Sequence, residues 1–202
     1  RASRRCSRSA SVRAARSAYD VELVHASIDG ADVAPGSYDA ATLWHVLEHV
    51  EDPAAALSRV VSWLRPGGVL LVGVPNLASV QSALAGGRWF HLDAPRHRTH
   101  FTPEGLDALL RRSGLEPLRT THVLAEHNAF GLWQSLVPTR TPSFLYHLLK
   151  RNTAPAGGDV AITAAAAPVA PVAAAAELAA GAARRGGTIA VLARAGRTPA
   201  GS

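Results

Sequence analysis

The stretch from Tyr38 to Asn76 leaves few folds open. Ala40 to Trp44 is a mostly apolar run, the pattern of a strand covered on both faces. Asp52 followed by Pro53 is a helix N-cap with proline at the first helical position, and Leu57, Val60, Val61 and Leu64 then recur at helical spacing. Pro66-Gly67-Gly68 stops that helix, and Val69 to Val74 is a second continuous apolar strand, closed by Pro75 and Asn76. A strand, a helix and a strand in so short a span predict parallel pairing through a right-handed crossover, the repeating unit of a doubly wound α/β sheet. In such sheets ligands bind in the crevice at the carboxyl ends of the strands. Trp44, His45, Glu48 and His49 sit at that edge and are the first site candidates.

The rest of the chain is organised around this unit. Val21 to Ala26 alternates as a short strand does, after weak helical character over Ser11 to Tyr19. Thr102-Pro103-Glu104 caps a second helix that offers Leu106, Leu109 and Leu110 to the core and stops at Gly114. Leu118 to Leu124 and Thr188 to Ala193 read as further strands. Between them, Phe130, Leu132, Trp133, Leu136, Val137, Phe144, Leu145, Leu148 and Leu149 make an apolar surface with Arg140, Lys150 and Arg151 nearby, which would either cover the core or lie on a membrane. Only 17 residues separate Asp159 from Glu177, mostly alanine and interrupted by Pro168 and Pro171, whereas a spanning helix wants about 20 strongly apolar ones. A transmembrane helix is rejected there, and a mobile insertion with some helix near its end is favoured over an interfacial hairpin.

The expected organisation is a basic segment at 1–20, a partial core at 21–125, an apolar and Ala/Pro-rich insertion at 126–185, a final strand at 186–195 and a tail at 196–202. The net charge of +6 equals the six arginines Arg1, Arg4, Arg5, Arg8, Arg13 and Arg16, which have no acid among them, and the remaining 15 basic and 15 acidic residues cancel. The body is neutral, so no nucleic-acid partner is expected. The one cysteine, Cys6, excludes an intramolecular disulfide and suits a reducing cytoplasm, the expected location. No apolar run of leader length follows the opening arginines, so no secretory leader is expected.

Several blocks in order carry a family resemblance. Ala26-Ser27-Ile28-Asp29, Gly36-Ser37-Tyr38-Asp39, Leu64-Arg65-Pro66-Gly67-Gly68, Leu92-Asp93-Ala94-Pro95-Arg96-His97 and His100-Phe101-Thr102-Pro103-Glu104 together make Val21 to Arg194 resemble the carboxyl-terminal two-thirds of a class I S-adenosylmethionine-dependent methyltransferase. The resemblance implies an α/β fold, a Rossmann-like methyltransferase sheet truncated at the N-terminus, mostly parallel with an antiparallel last strand. Its implied strand order is three-two-one-four-five-seven-six. It implies S-adenosylmethionine as cofactor, with Ser27, Ile28 and Asp29 bordering the adenine and Leu43, Trp44 and His45 along the cofactor. Asn76, Arg96, His97 and His100 would face the acceptor, a small molecule, a glycan or a lipid-linked compound, with peripheral membrane contact through 130–149. His97 and His45 would be the catalytic candidates, because an imidazole can take a proton from a hydroxyl acceptor.

The departures from the family are equally specific. The family's first strand ends in a glycine-rich loop and its second in an acid that holds the ribose, and this chain has neither. The Gly-Gly pairs beginning at 67, 86, 157 and 186 do not lie between an opening strand and a helix. Half of the cofactor site is therefore expected to be absent and transfer impaired; Val21 to Ala26 would either pair directly with Tyr38 to Trp44 or leave that sheet edge open, and marginal stability is expected.

Readings from other classes compete. The chain could be a non-catalytic Rossmann-like binding module. His45-Val46-Leu47-Glu48-His49 also satisfies H-x-x-E-H, an inverted zinc-peptidase pattern, but Asp52-Pro53 starts a new helix too soon for a stable helix around the motif. Ubiquinone-pathway and small-RNA methyltransferases resemble this segment with Glu-x-x-Glu-His and can place a divalent metal there. This chain has His45 at the first glutamate; a site of His45, Glu48, His49 and His97 or His100 is chemically possible, but these residues are read as hydrogen-bonded pocket lining and no metal is expected.

Overall fold

The computed structural model describes Ser17, Val24 and residues 26–123, 128–141, 143–150 and 156–196. Four strands form one sheet: β1 (Tyr38–Trp44), β2 (Leu64–Pro75), β3 (Leu115–Thr121) and β4 (Thr188–Ala195), in the order β1-β2-β4-β3. β1 and β2 are parallel, with Ala40 opposite Val69 and Trp44 opposite Gly73. β4 runs antiparallel to both β2 and β3. Three strands thus share a direction and the last opposes them, as expected, and the order matches the four-five-seven-six part of the implied sheet.

The helices are α1 (Pro53–Trp63), α2 (Val80–Ala85), α3 (Pro103–Arg112), α4 (Asn128–Leu136), α5 (Phe144–Leu149), α6 (Gly157–Ala166) and α7 (Ala170–Ala182). α1 begins where Asp52 accepts the N–H groups of Ala54 and Ala55, and α3 where the Thr102 hydroxyl accepts the Gly105 N–H. Both bury the residues that helical spacing selects. Leu57 and Val60 from α1, and Leu106 and Leu110 from α3, meet Leu70, Val72, Val74 and Val191 of the sheet. Burying a leucine side chain contributes roughly 1.5–3 kcal/mol, so these two faces fix the helices on the sheet.

Several expectations need correction. The turn at Pro66 to Gly68 lies within β2, as an irregularity between the Tyr38–Leu64 and Ala40–Val69 pairs. β3 begins at Leu115, earlier than expected, and Leu124 lies outside the described residues. Ser11 to Tyr19 lies outside them except for Ser17, which is helical, and of Val21 to Ala26 only Val24 and Ala26 are described, neither in a strand. Among the described residues β1 pairs with β2 alone.

The Ala-rich segment is helical nearly throughout. Its prolines fall in the short 3-10 turn Ala167–Val169 and the first turn of α7, where the missing N–H costs little. The combined run Gly157–Ala182 has 26 residues and is long and apolar enough to cross a membrane by length and composition. Three contacts tie it to the rest of the protein. Trp133 Nε1 donates to the Ala166 carbonyl, Asp159 accepts the backbone N–H groups of Arg140 and Thr141, and Glu177 accepts from Gln81 and from the Gly187 N–H. The Gly186-Gly187 pair serves this closure: a Cβ at 186 would overlap the His122 carbonyl, and one at 187 the Gln81 carboxamide. Most of the apolar surface expected over 130–149 faces inward, with Leu132, Trp133, Val137 and Phe144 buried and Leu136 and Leu149 exposed.

Candidate active site

The site starts where β1 ends. Trp44 lies across Gly73 of β2, where any Cβ would collide with the indole. His45 follows with φ 50°, in the left-handed region that non-glycine residues rarely enter. Its backbone N–H donates to the Gly73 carbonyl at 2.9 Å, one rung beyond the strand. The chain then makes a single 3-10 turn, Leu47–His49, with Leu47 in the core and Glu48 buried. His45 Nδ1 and Glu48 Oε1 are 3.0 Å apart.

A second segment, Phe90 to His100, folds back onto this turn. The Arg98 N–H donates to the Glu48 carbonyl at 2.8 Å. His49 Nδ1 lies 3.1 Å from the Arg96 carbonyl, and His97 Nδ1 lies 2.6 Å from the His91 carbonyl. A carbonyl only accepts, so both rings carry their proton on Nδ1 and, in the neutral form, leave Nε2 as a lone pair. Burial holds the His97 pKa below the usual histidine value, against the opposing pull of the His91 carbonyl and the Glu48 charge.

Between this histidine wall and α5 lies a cavity of about 580 Å³. Phe90 and Tyr146 meet edge to face, 5.3 Å between centroids, and Lys150 sits 5.9 Å from the Tyr146 ring. The lining thus combines an aromatic side, an imidazole side and basic groups at Arg96, His147 and Lys150.

The structure brings together His45, Arg96 and His97 of the expected site residues, with Glu48 and His49 of the edge cluster. His100 stands behind them, its Nε2 3.2 Å from the Leu92 carbonyl and its ring against Trp89. Asn76 is fully buried, donates to the Gly186 carbonyl and accepts the Ala78 N–H, and does not line this cavity. The Leu43 side chain belongs to the core. Ser27, Ile28 and Asp29 form a turn closed by the Gly30 N–H on Ser27, with Ile28 against the core margin, and none of the three lines the cavity. Phe90, His91 and Tyr146 were not singled out from sequence, and Lys150 only as a charge beside the apolar surface. They come from segments about fifty residues apart, and no local periodicity announces that they meet.

The peptidase reading fails on geometry. His45 lies outside the three-residue turn that holds His49, and it bonds to the glutamate instead of joining His49 as a donor. A different trio converges: one oxygen of Glu48 and one ring nitrogen each of His49 and His97 lie within 4.8 Å of one another, so this set could hold a cation.

Comparison with known proteins decides the family. A family model described as "Methyltransferase domain" matches residues 5–120. The chain belongs to this family. The methyltransferase domain is 30% identical over 115 residues to a ubiquinone biosynthesis O-methyltransferase of Dinoroseobacter shibae, covering 54% of this chain and 46% of that enzyme. It is 36% identical over 88 residues to the enzyme of the same name from Xanthomonas euvesicatoria, covering 41% and 37%. The chain therefore spans less than half the length of these relatives. Among solved structures, a putative sarcosine dimethylglycine methyltransferase from Galdieria sulphuraria aligns over 92% of this chain and 63% of its own, at TM-score 0.54 and 13% identity. The [4+2]-cyclase SpnF also aligns at TM-score 0.54, with 18% identity, over 92% of this chain and 61% of its own. The methyltransferase fold thus serves more than one chemistry, and the residues of the cavity decide which.

Proposed function

We propose that the protein transfers a methyl group from S-adenosylmethionine to a hydroxyl oxygen of a small molecule. The observation that carries this reading is the imidazole wall. His49 and His97 both commit Nδ1 to a backbone carbonyl, which makes Nε2 an acceptor for a group that brings a proton with it. A hydroxyl fits that demand, and the Phe90 and Tyr146 side favours an acceptor with an aromatic or otherwise apolar body. The relatives named as O-methyltransferases support the same acceptor atom. Transfer is an in-line displacement: the acceptor oxygen bonds to the methyl carbon, the carbon–sulfur pair returns to sulfur, and the hydroxyl proton passes to an imidazole. The protein's work is mostly alignment, plus removal of that proton.

Calorimetric titration with S-adenosylhomocysteine tests the donor half of this reading without knowledge of the acceptor. Micromolar binding would mean that the surviving strand ends suffice to hold the donor and would support methyl transfer. A well-folded protein that takes up no S-adenosylhomocysteine would point instead to the non-catalytic binding module. With binding in hand, a screen of hydroxyl and amine acceptors of matched shape should give transfer to the hydroxyl series alone.

A further inference from the structure

His45, His49 and His97 all line the cavity, and each could take the acceptor proton; His49, like His97, has only a neutral carbonyl hydrogen-bonded behind its ring. Their surroundings differ. His97 has a neutral carbonyl behind its ring, and burial favours its uncharged form. His45 has a carboxylate behind its ring, Glu48 Oε1 at 3.0 Å, on a residue that is 1% exposed. The other oxygen of Glu48 has no hydrogen-bond partner among the described residues. The left-handed backbone at His45 and the rung from its N–H to Gly73 set the ring over this carboxylate, and the His91 ring lies parallel to it at 6.1 Å. A strained backbone over a half-satisfied buried acid is a costly arrangement for stability alone.

We propose that His45 is the base that takes the acceptor proton and that Glu48 is its positioning residue, fixing Nδ1–H against Oε1 so that Nε2 is presented to the cavity. This rests on the hydroxyl-methylation reading above. As the acceptor oxygen attacks the methyl carbon, its proton moves to His45 Nε2. The positive charge that appears on the ring is then met by a direct hydrogen bond at 3.0 Å to the Glu48 carboxylate, whereas the His97 ring bonds to the His91 carbonyl and feels the Glu48 charge only through space. S-adenosylhomocysteine leaves with the carbon–sulfur electron pair, and the imidazolium returns its proton to water.

The first test reads the tautomer and needs neither acceptor nor turnover. In nitrogen-15 spectra of the labelled protein at neutral pH, with His45 assigned by comparison with His45→Asn, the ring should show a protonated Nδ1 and a bare Nε2. Glu48→Ala should let it revert to a mixture. A parent ring protonated on Nε2 overturns the proposal without any variant having to fold. The second test is kinetic, on the whole enzyme with a turned-over hydroxyl acceptor. Glu48→Ala should lower kcat by about a hundredfold or more at nearly unchanged KM, His45→Ala should do the same, and the double variant should be no worse than either. Glu48→Asp should recover part of the loss. Equal losses in KM, or an additive double variant, would sink the pairing. So would a stoichiometric divalent ion that copurifies with the protein and disappears in Glu48→Ala, because Glu48 would then serve the ion. Failure of S-adenosylhomocysteine to bind would remove the methyl-transfer reading while leaving the tautomer result standing.

Discussion

Glu48 and Glu177 are both buried, at 1% and 4% exposure, yet their surroundings have opposite logic. Glu177 on α7 spends both oxygens, one on the Gly187 N–H at 2.6 Å and one on the Gln81 amide at 2.7 Å. It closes the helical cover over the start of β4, beside the buried bond from the Thr188 hydroxyl to Asn128. Glu48 spends one oxygen on an imidazole that faces a cavity and leaves the other without a partner. A buried acid satisfied on both sides is a structural clasp. One satisfied by a titratable ring at a cavity wall is poised for chemistry.

The sharpest way to break this comparison is to remove each charge and measure stability. Glu177→Ala strands the Gly187 N–H and one Gln81 hydrogen, and should lower the unfolding free energy by about 3 kcal/mol in urea titration. Glu48→Gln keeps the volume and removes a charge that has only one hydrogen bond. Its unfolding free energy should stay within about 1 kcal/mol of the parent, while turnover falls. If Glu48→Gln proves as destabilising as Glu177→Ala, Glu48 is a clasp too, and its placement at the cavity means little.

Legibility in the sequence follows a similar division. Local features were readable because one segment carries both halves of the interaction. Asp52 caps α1 through the next three residues, and Thr102 caps α3 in the same way. The parallel β1–α1–β2 unit followed from such signals. Closures across the chain were not readable. Asn76 lies at a strand end, where a ligand-facing side chain is expected, yet its partner is the Gly186 carbonyl, 110 residues away. The alanine run was read as broken because proline usually ends a helix, but here both prolines fall within the short turn and the following first turn. At the cavity, the His45–Glu48–His49 cluster was visible as a polar patch at the strand edge. Its arrangement, with a carboxylate behind the His45 ring and an outer imidazole at His49, depends on the φ of His45 and on carbonyls from Phe90 to His97, and residue identity encodes neither directly.

The smallest expected effect also separates the two acids. Burial holds the pKa values of His97 and His122 below the ordinary value of 6.5, with Arg184 adding to the depression at His122. As pH falls through that value, the unfolded chain binds protons that the folded rings refuse, so stability declines toward acid and is unaffected by these rings well above it. The Asp159 carboxylate, held low by the Arg140 N–H, contributes stability that persists until the pH falls through its own depressed value, below the histidine range. Within the histidine limb, the Glu48 charge raises the His97 pKa and so moderates the decline. Glu48→Gln should therefore depress His97 further and steepen the loss of melting temperature between about pH 7.5 and pH 5, an effect of a few degrees at most. Glu177→Ala should shift the whole curve down without changing that slope. A Glu48→Gln slope equal to the parent's would mean that the carboxylate does not act on the imidazole wall, and the contrast between the two buried acids would then rest on hydrogen-bond geometry alone.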